Sequence, residues 1–121
     1  MANNVQVIEK NEGRKVDFVQ SGTRMFFGDD EIMVNCSKYQ KDWPVHLDIC
    51  ANKDRNLVIG VGEGLYYVAQ IDIPPIEYEE PVEVVSDTEM MQENPRIAKP
   101  IDMSKVILTL WSLDDLTPTE V

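Results

Sequence analysis

Short runs of alternating apolar and polar residues, separated by turn residues, fill most of the first 75 positions of the chain. Successive side chains of an extended strand point to opposite faces, so each run predicts a strand with one buried face. The runs recur at intervals of about 8–12 residues, which is typical of an all-β sandwich or barrel. No stretch keeps a helical period. The predicted strands are 5–10, 15–19, 24–27, 31–37, 45–51, 56–61 and 65–73.

Three connections contain glycine and are interpreted as turns between paired strands, one of them being Gly28-Asp29-Asp30 between 24–27 and 31–37. Asn-Glu-Gly-Arg joins the first two predicted strands, and Gly60, Gly62 and Gly64 surround the connection to the strand that begins at Leu65. The spacing of these three glycines resembles that of a phosphate-binding loop. Such a loop also needs a following helix whose N-terminus meets the phosphate. A β-rich run follows instead. We therefore expect a hairpin in which Gly60 forms a bulge or permits a close backbone approach.

The composition changes at Pro74. Residues 74–104 hold five of the seven prolines, and residues 71–121 carry 12 acidic against 3 basic residues, whereas residues 1–70 carry 10 against 8. Such a segment buries little apolar surface. We expect 76–104 to be a loosely structured acidic excursion, with an edge strand at 82–85.

A final strand is predicted at 105–111, where apolar residues occupy both faces of the run Lys-Val-Ile-Leu-Thr-Leu-Trp. A strand covered on both faces lies inside a sheet, so this one should return to pair with the N-terminal strands. The chain of 121 residues is then one domain spanning 1–121. The expected fold is all-β, a small antiparallel sandwich or partly open barrel of about seven to nine strands.

The segment Val-His-Leu-Asp-Ile-Cys at 45–50 places His46, Asp48 and Cys50 on one face of a strand, and His46 is the only histidine. Alternate residues of a strand lie about 6.6–7 Å apart. That spacing is too long for all three side chains to reach one zinc ion at about 2.0–2.3 Å without help. We therefore interpret the segment as a strand with a mixed polar face, and predict no metal site and no cofactor.

The sequence also predicts that the protein is not an enzyme. It contains neither a nucleophile-elbow motif nor a paired metal-ligand motif, and its adjacent carboxylates fit turns and solvated surfaces. An enzyme would need His46 in a cleft beside a second polar group. The net charge of −11 opposes direct binding to nucleic acid and to anionic membranes, and favours a basic protein partner.

The location predicted from the sequence is cytoplasmic. The first 15 residues contain no apolar core of a signal peptide, and no window reaches the length of apolar chain that a membrane span needs. Cys36 and Cys50 are too few for a disulfide framework, so we expect both thiols to be reduced.

The function that these features favour is a non-catalytic interaction or assembly module that holds a protein partner, or a second copy, by a sheet edge or by the acidic segment. By fold-level analogy, such a chain would suit a virion or prophage accessory part. Two alternatives remain: a β-barrel that binds a small apolar ligand, with Trp43, Tyr66 and Tyr67 at its rim, and an acidic nucleic-acid mimic that inhibits a basic protein. The residues predicted to contact a partner are Glu77, Tyr78, Glu79, Glu80, Glu83, Met90 and Met91.

Overall fold

The computed structural model describes residues 5–79 and 97–119, which form two β-sheets. The two sheets share one core and neither closes into a barrel, so the predicted all-β architecture is confirmed. A single helical turn, α1 (Cys36–Tyr39), and a 3-10 turn at Met103–Lys105 are the helical elements within these ranges. The strands are β1 (Gln6–Glu9), β2 (Phe18–Ser21), β3 (Arg24–Phe27), β4 (Ile32–Asn35), β5 (Val45–Ala51), β6 (Leu57–Ile59), β7 (Tyr66–Ile73) and β8 (Ile107–Leu110).

The larger sheet has five strands in the order β1-β8-β7-β5-β6. β8 lies inside it, parallel to β1 with Gln6 opposite Ile107, and antiparallel to β7 with Ile71 opposite Leu108. Leu108 is fully buried, because its side chain points into the core from a strand that has a neighbour on each side. The prediction that the last strand returns to an interior position beside the N-terminal strand is thus confirmed.

The smaller sheet is the antiparallel meander β2-β3-β4. Met25 and Phe27 of β3 and Val34 of β4 point inward and are fully buried. One cluster of buried side chains joins these residues to the inner face of the larger sheet. Its remaining members are Val5, Val16, Cys36, Ile49, Ala51, Val68, Ala69, Ile71, Ile73, Met103, Val106, Leu108 and Leu110.

The hairpins predicted at 11–14 and 60–65 are wrong, whereas the turn predicted at 28–30 does join two paired antiparallel strands, β3 and β4. β1 and β2 belong to different sheets, so residues 11–14 cross from one sheet to the other. β6 and β7 pair with opposite sides of β5, and residues 60–65 therefore pass from one side of β5 to the other. The Gly60 N–H donates to the carbonyl of Asp48 at 2.7 Å and its φ is +119°, but nothing lies within 4 Å of a Cβ atom added there, so Gly60 is not a point of close backbone approach. The neighbour of β1 is β8, which is distant along the chain, and β5, the strand that precedes β6, lies between β6 and β7.

Several strand boundaries differ from the sequence prediction by one to three residues. The second strand begins at Phe18 rather than at Lys15, and the fourth ends at Asn35 instead of continuing to Ser37. Asn35 stops the strand because its side-chain oxygen accepts from the Ser37 N–H at 3.2 Å, which caps α1. Asparagine is a favoured N-cap residue, so the sequence carried a signal for this turn.

Residues 11–14 bind the segment that follows β8. The Asn11 side chain accepts from the Ser112 N–H at 2.7 Å, and the Arg14 carbonyl accepts from the Leu113 N–H at 2.7 Å. Gly13 lies between these contacts with φ at +128°. A Cβ atom added to Gly13 would lie 2.2 Å from Ser112 Oγ, so only glycine fits here.

The close approach predicts a large stability loss for Gly13→Ala. Gly60→Ala is the matched control, since Gly60 also has a positive φ but nothing lies within 4 Å of its added Cβ. We expect the control to lose about 1–3 kcal/mol of unfolding free energy from backbone strain. Gly13→Ala should lose about 1–3 kcal/mol more from the steric clash. Urea unfolding measures both, and equal losses would show that the contact with Ser112 is not tight.

Candidate functional site

The outer face of the larger sheet carries a cluster of polar side chains centred on His46. Its Nδ1 lies 2.7 Å from Asp72 Oδ1 and its Nε2 lies 2.8 Å from Asp48 Oδ1. His46 is opposite Asp72 in the pairing of β5 with β7, and Asp48 is opposite Gln70, so strand register brings the four side chains together. The structure confirms the neighbouring positions of His46 and Asp48 on one face and adds two partners from β7.

A neutral imidazole has one N–H donor, so it can donate to only one of the two carboxylates. Hydrogen bonds from His46 to Asp48 and Asp72 at the same time need two N–H donors, so this arrangement favours the protonated imidazole ring. The hydrogen bond to Asp72 is the largest cause of the raised pKa of His46, and the hydrogen bond and charge of Asp48 raise it further, while partial burial opposes them. When the ring is protonated it can donate to both carboxylates, so the hydrogen bonds of the cluster depend on pH.

Hydrogen bonds extend from this cluster to the end of β8. Gln70 Nε2 donates to Asp48 Oδ1 at 2.9 Å, and Gln70 Oε1 accepts from Trp111 Nε1 at 2.9 Å. The Trp111 ring stacks on Tyr67 with centroids 4.8 Å apart. No sequence pattern indicates this connection, because it depends on the pairing of β7 with both β5 and β8.

Cys50 does not share the exposure of His46. Its side chain is fully buried, and so is that of Cys36; both thiols are free. Burial is the main cause that raises the pKa of each to about 11. Since thiolates are the reactive form of cysteine and the form that binds metals, neither residue is chemically activated.

No group of three or more His, Cys, Asp or Glu residues in 5–79 and 97–119 is arranged to hold a metal ion. Both ring nitrogens of His46 are directed at carboxylate oxygens. The His46 side chain has 44% of its surface exposed, and it is not among the residues that line the three cavities below. His46 therefore has polar neighbours but lies on an open sheet face.

The described residues of the acidic segment contact the rest of the protein. Glu77 pairs with Lys105 at 2.8 Å, and the Tyr78 hydroxyl donates to Asp42. The Glu79 N–H donates to the carbonyl of Ile97 at 2.8 Å, which brings the two ends of the segment together. The predicted strand at 82–85 and the predicted contact residues Glu80, Glu83, Met90 and Met91 lie outside the described residues.

The predicted aromatic rim is not assembled around one cavity. Trp43 is 62% exposed and, like Tyr67, is not among the residues lining the three cavities. Tyr66 lines a cleft of about 460 Å³ beside the segment after β8. A smaller, apolar cavity of about 200 Å³ adjoins that cleft, and a polar cleft of about 520 Å³ lies beside Glu77 and Lys105.

β1 forms one edge of the larger sheet, and all four of its residues are exposed. The amides of Gln6 and Lys10 donate to carbonyls at Val106 and Leu110. In a parallel ladder, alternate residues bond to the same neighbour, so the N–H and C=O groups of Val7 and Glu9 point away from β8. We call these groups the open edge of β1; no strand pairs with it in the ranges 5–79 and 97–119.

Comparisons with protein-family models, with curated proteins and with solved structures found no match. Among the helices within the described ranges, none has the length and apolar character needed to cross a membrane. Inference about function therefore rests on the sequence and geometry of this chain.

The His46 cluster predicts a titration that one resonance can follow, because His46 is the only histidine. Its pKa should lie above the ordinary value of about 6.5, and Asp72→Asn should lower it more than Asp48→Asn, since the Asp72 bond is the largest contribution. Proton NMR of the imidazole measures each value. A His46 pKa that both substitutions leave unchanged would contradict the geometry.

The same pKa shift fixes the sign of its effect on stability. Because the pKa is raised in the folded state, the stabilisation is complete below about pH 6.5 and is lost as the pH rises through the folded-state value. Its size should stay below about 1 kcal/mol, since the side chains of His46 and Asp72 are 44% and 49% exposed and water screens their charges.

Proposed function

We propose that this protein is a non-catalytic interaction module that binds an extended segment of a basic protein partner along the open edge of β1. The observation that carries the proposal is that all four residues of β1 are exposed, beside a row of backbone groups that has no strand partner among residues 5–79 and 97–119. Exposed sheet edges are the usual acceptors when a peptide adds a strand to a folded domain.

The side chains of β1 support this role. Val7 and Ile8 point to opposite faces of the sheet, and they are 45% and 49% exposed. An added strand would cover apolar surface on both faces at once. Natural edges are commonly protected by proline, by a bulge or by inward-pointing charges. β1 contains no proline, and its pairing with β8 is regular from Gln6 to Glu9.

The charge of the chain favours a basic partner over a second copy. With a net charge of −11, two copies repel each other, whereas a cationic segment is attracted over a distance of several ångströms. The acidic mimic and the accessory role in a virion or prophage remain predictions from the sequence. The open edge supplies a binding mode for the interaction role without depending on residues 80–96.

Val7→Pro tests the open edge directly. Proline removes the outward N–H of residue 7 and is tolerated in edge strands, while the amides that bond to β8 belong to residues 6, 8 and 10. Val7→Thr is the matched control, because it keeps the N–H and the branched shape. Both variants should retain the wild-type circular dichroism spectrum.

We expect the wild type and Val7→Thr to bind a peptide of alternating lysine and valine more tightly than the corresponding glutamate–valine peptide, and expect Val7→Pro to weaken that binding at least tenfold. Isothermal titration calorimetry at low and high salt measures the affinities. Equal binding by the proline variant would place the interaction elsewhere. A wild-type dimer that Val7→Pro makes monomeric would overturn the assignment of a basic partner in favour of a second copy.

A further inference from the structure

An apolar cavity of about 200 Å³ opens where the turn after β3, the turn after β5 and the segment after β8 meet. It reaches the core, because Val16 and Ala51 belong to the buried cluster yet retain 9% and 7% of their exposure. An apolar group placed here would complete the burial of the core at this point. Its apolar walls are Val16, Ala51, Leu57, Val68, Leu113 and Leu116.

Most charged groups beside the cavity already have partners. Arg14 Nε donates to Asp114 Oδ1 at 2.7 Å, and Glu31 Oε2 accepts from the Leu57 N–H at 2.7 Å. Arg55 also lines the cavity, and its guanidinium joins none of the ion pairs found among residues 5–79 and 97–119. Among the residues that line the apolar cavity, Arg55 is therefore the cation outside those ion pairs; Lys53, Asp114 and Asp115 line only the wider cleft beside it.

The backbone fixes the position of Arg55. Asn52 Oδ1 accepts from the amides of Asp54 and Asn56 at 2.9 and 3.0 Å, and the Arg55 N–H donates to the Asn52 carbonyl at 2.8 Å. This turn places Arg55 at φ +67°, a conformation that favours glycine or asparagine. Glycine or asparagine would adopt this turn with less strain than arginine. The conformation of the turn therefore does not explain why position 55 is an arginine.

The wider cleft of about 460 Å³ shares four lining residues with the apolar cavity: Asn52, Arg55, Leu113 and Leu116. Arg55 thus lies where an apolar space meets a solvent-facing one. A ligand that fits both has an apolar tail and an anionic head. An engineered apolar cavity of about 150 Å³ accepts benzene, which sets the size of the tail at about six to eight carbon atoms.

We propose that this cavity binds a small carboxylic acid, whose tail packs against Leu57, Leu113 and Leu116 and whose carboxylate pairs with Arg55. The pairing of a guanidinium with a carboxylate supplies two parallel hydrogen bonds and so selects the head group. This site is separate from the open edge of β1, and its occupancy does not depend on a protein partner.

The test titrates octanoate into the isotope-labelled full chain and follows backbone amides by NMR. Octylammonium, with the same tail and the opposite charge, is the ligand control. Arg55→Asn removes the charge and suits the left-handed backbone, so its thermal stability should equal or exceed that of the wild type. Arg24→Gln, at an exposed arginine of β3, removes the same charge elsewhere.

We expect octanoate to shift the amides of residues 51–57 and 113–116, and expect Arg55→Asn to weaken binding at least tenfold while Arg24→Gln does not. Ala51→Leu, which fills the cavity, should abolish binding. Equal shifts with octylammonium, or unchanged affinity in Arg55→Asn, would overturn the proposal. Tighter binding of N-acetylleucine than of hexanoate would also overturn it, in favour of a peptide C-terminus.

Discussion

The pairing of β8 with β1 is the contact on which the larger sheet depends. It brings residue 107 beside residue 6, so β1 gains its neighbour in the larger sheet only when a segment about a hundred positions further along is in place. β8 supplies Leu108 and Leu110 to the core, and the segment after it binds residues 11–14 through backbone and side-chain hydrogen bonds. The first and last strands of the described chain are thereby bound to each other. Pairings of such long sequence separation are associated with slow folding.

The alternation of side chains predicted most of the strands, because it depends only on which face of a strand is buried. It also predicted the interior position of β8, since apolar residues on both faces need cover on both sides. It could not predict which strands pair. Residues 11–14 and 60–65 have the composition of tight turns, yet the position next to β1 goes to β8 and the position next to β7 goes to β5. The local sequence contains no information on which of several possible strands takes a given position in the sheet.

The candidate sites likewise combine features that the sequence predicts with features that depend on strand pairing. The alternation placed His46 and Asp48 on one face, and the structure keeps them together. Asp72 joined them only because β7 pairs with β5, and Cys50 is buried although it shares their alternation. Arg55 was not singled out, because its sequence neighbours indicate only a turn. Its left-handed backbone and its place between an apolar cavity and solvent appear only in three dimensions.

The account depends most on β1 being bound to β8 on one side and open on the other. Amide hydrogen exchange, measured by NMR on the dilute full chain, tests both at once. The account predicts alternation along β1: slow exchange at Gln6, Ile8 and Lys10, whose amides face β8, and fast exchange at Val7 and Glu9. Uniform protection would show that the edge is covered, and uniform fast exchange would show that β1 is not paired with β8; either result would contradict the account.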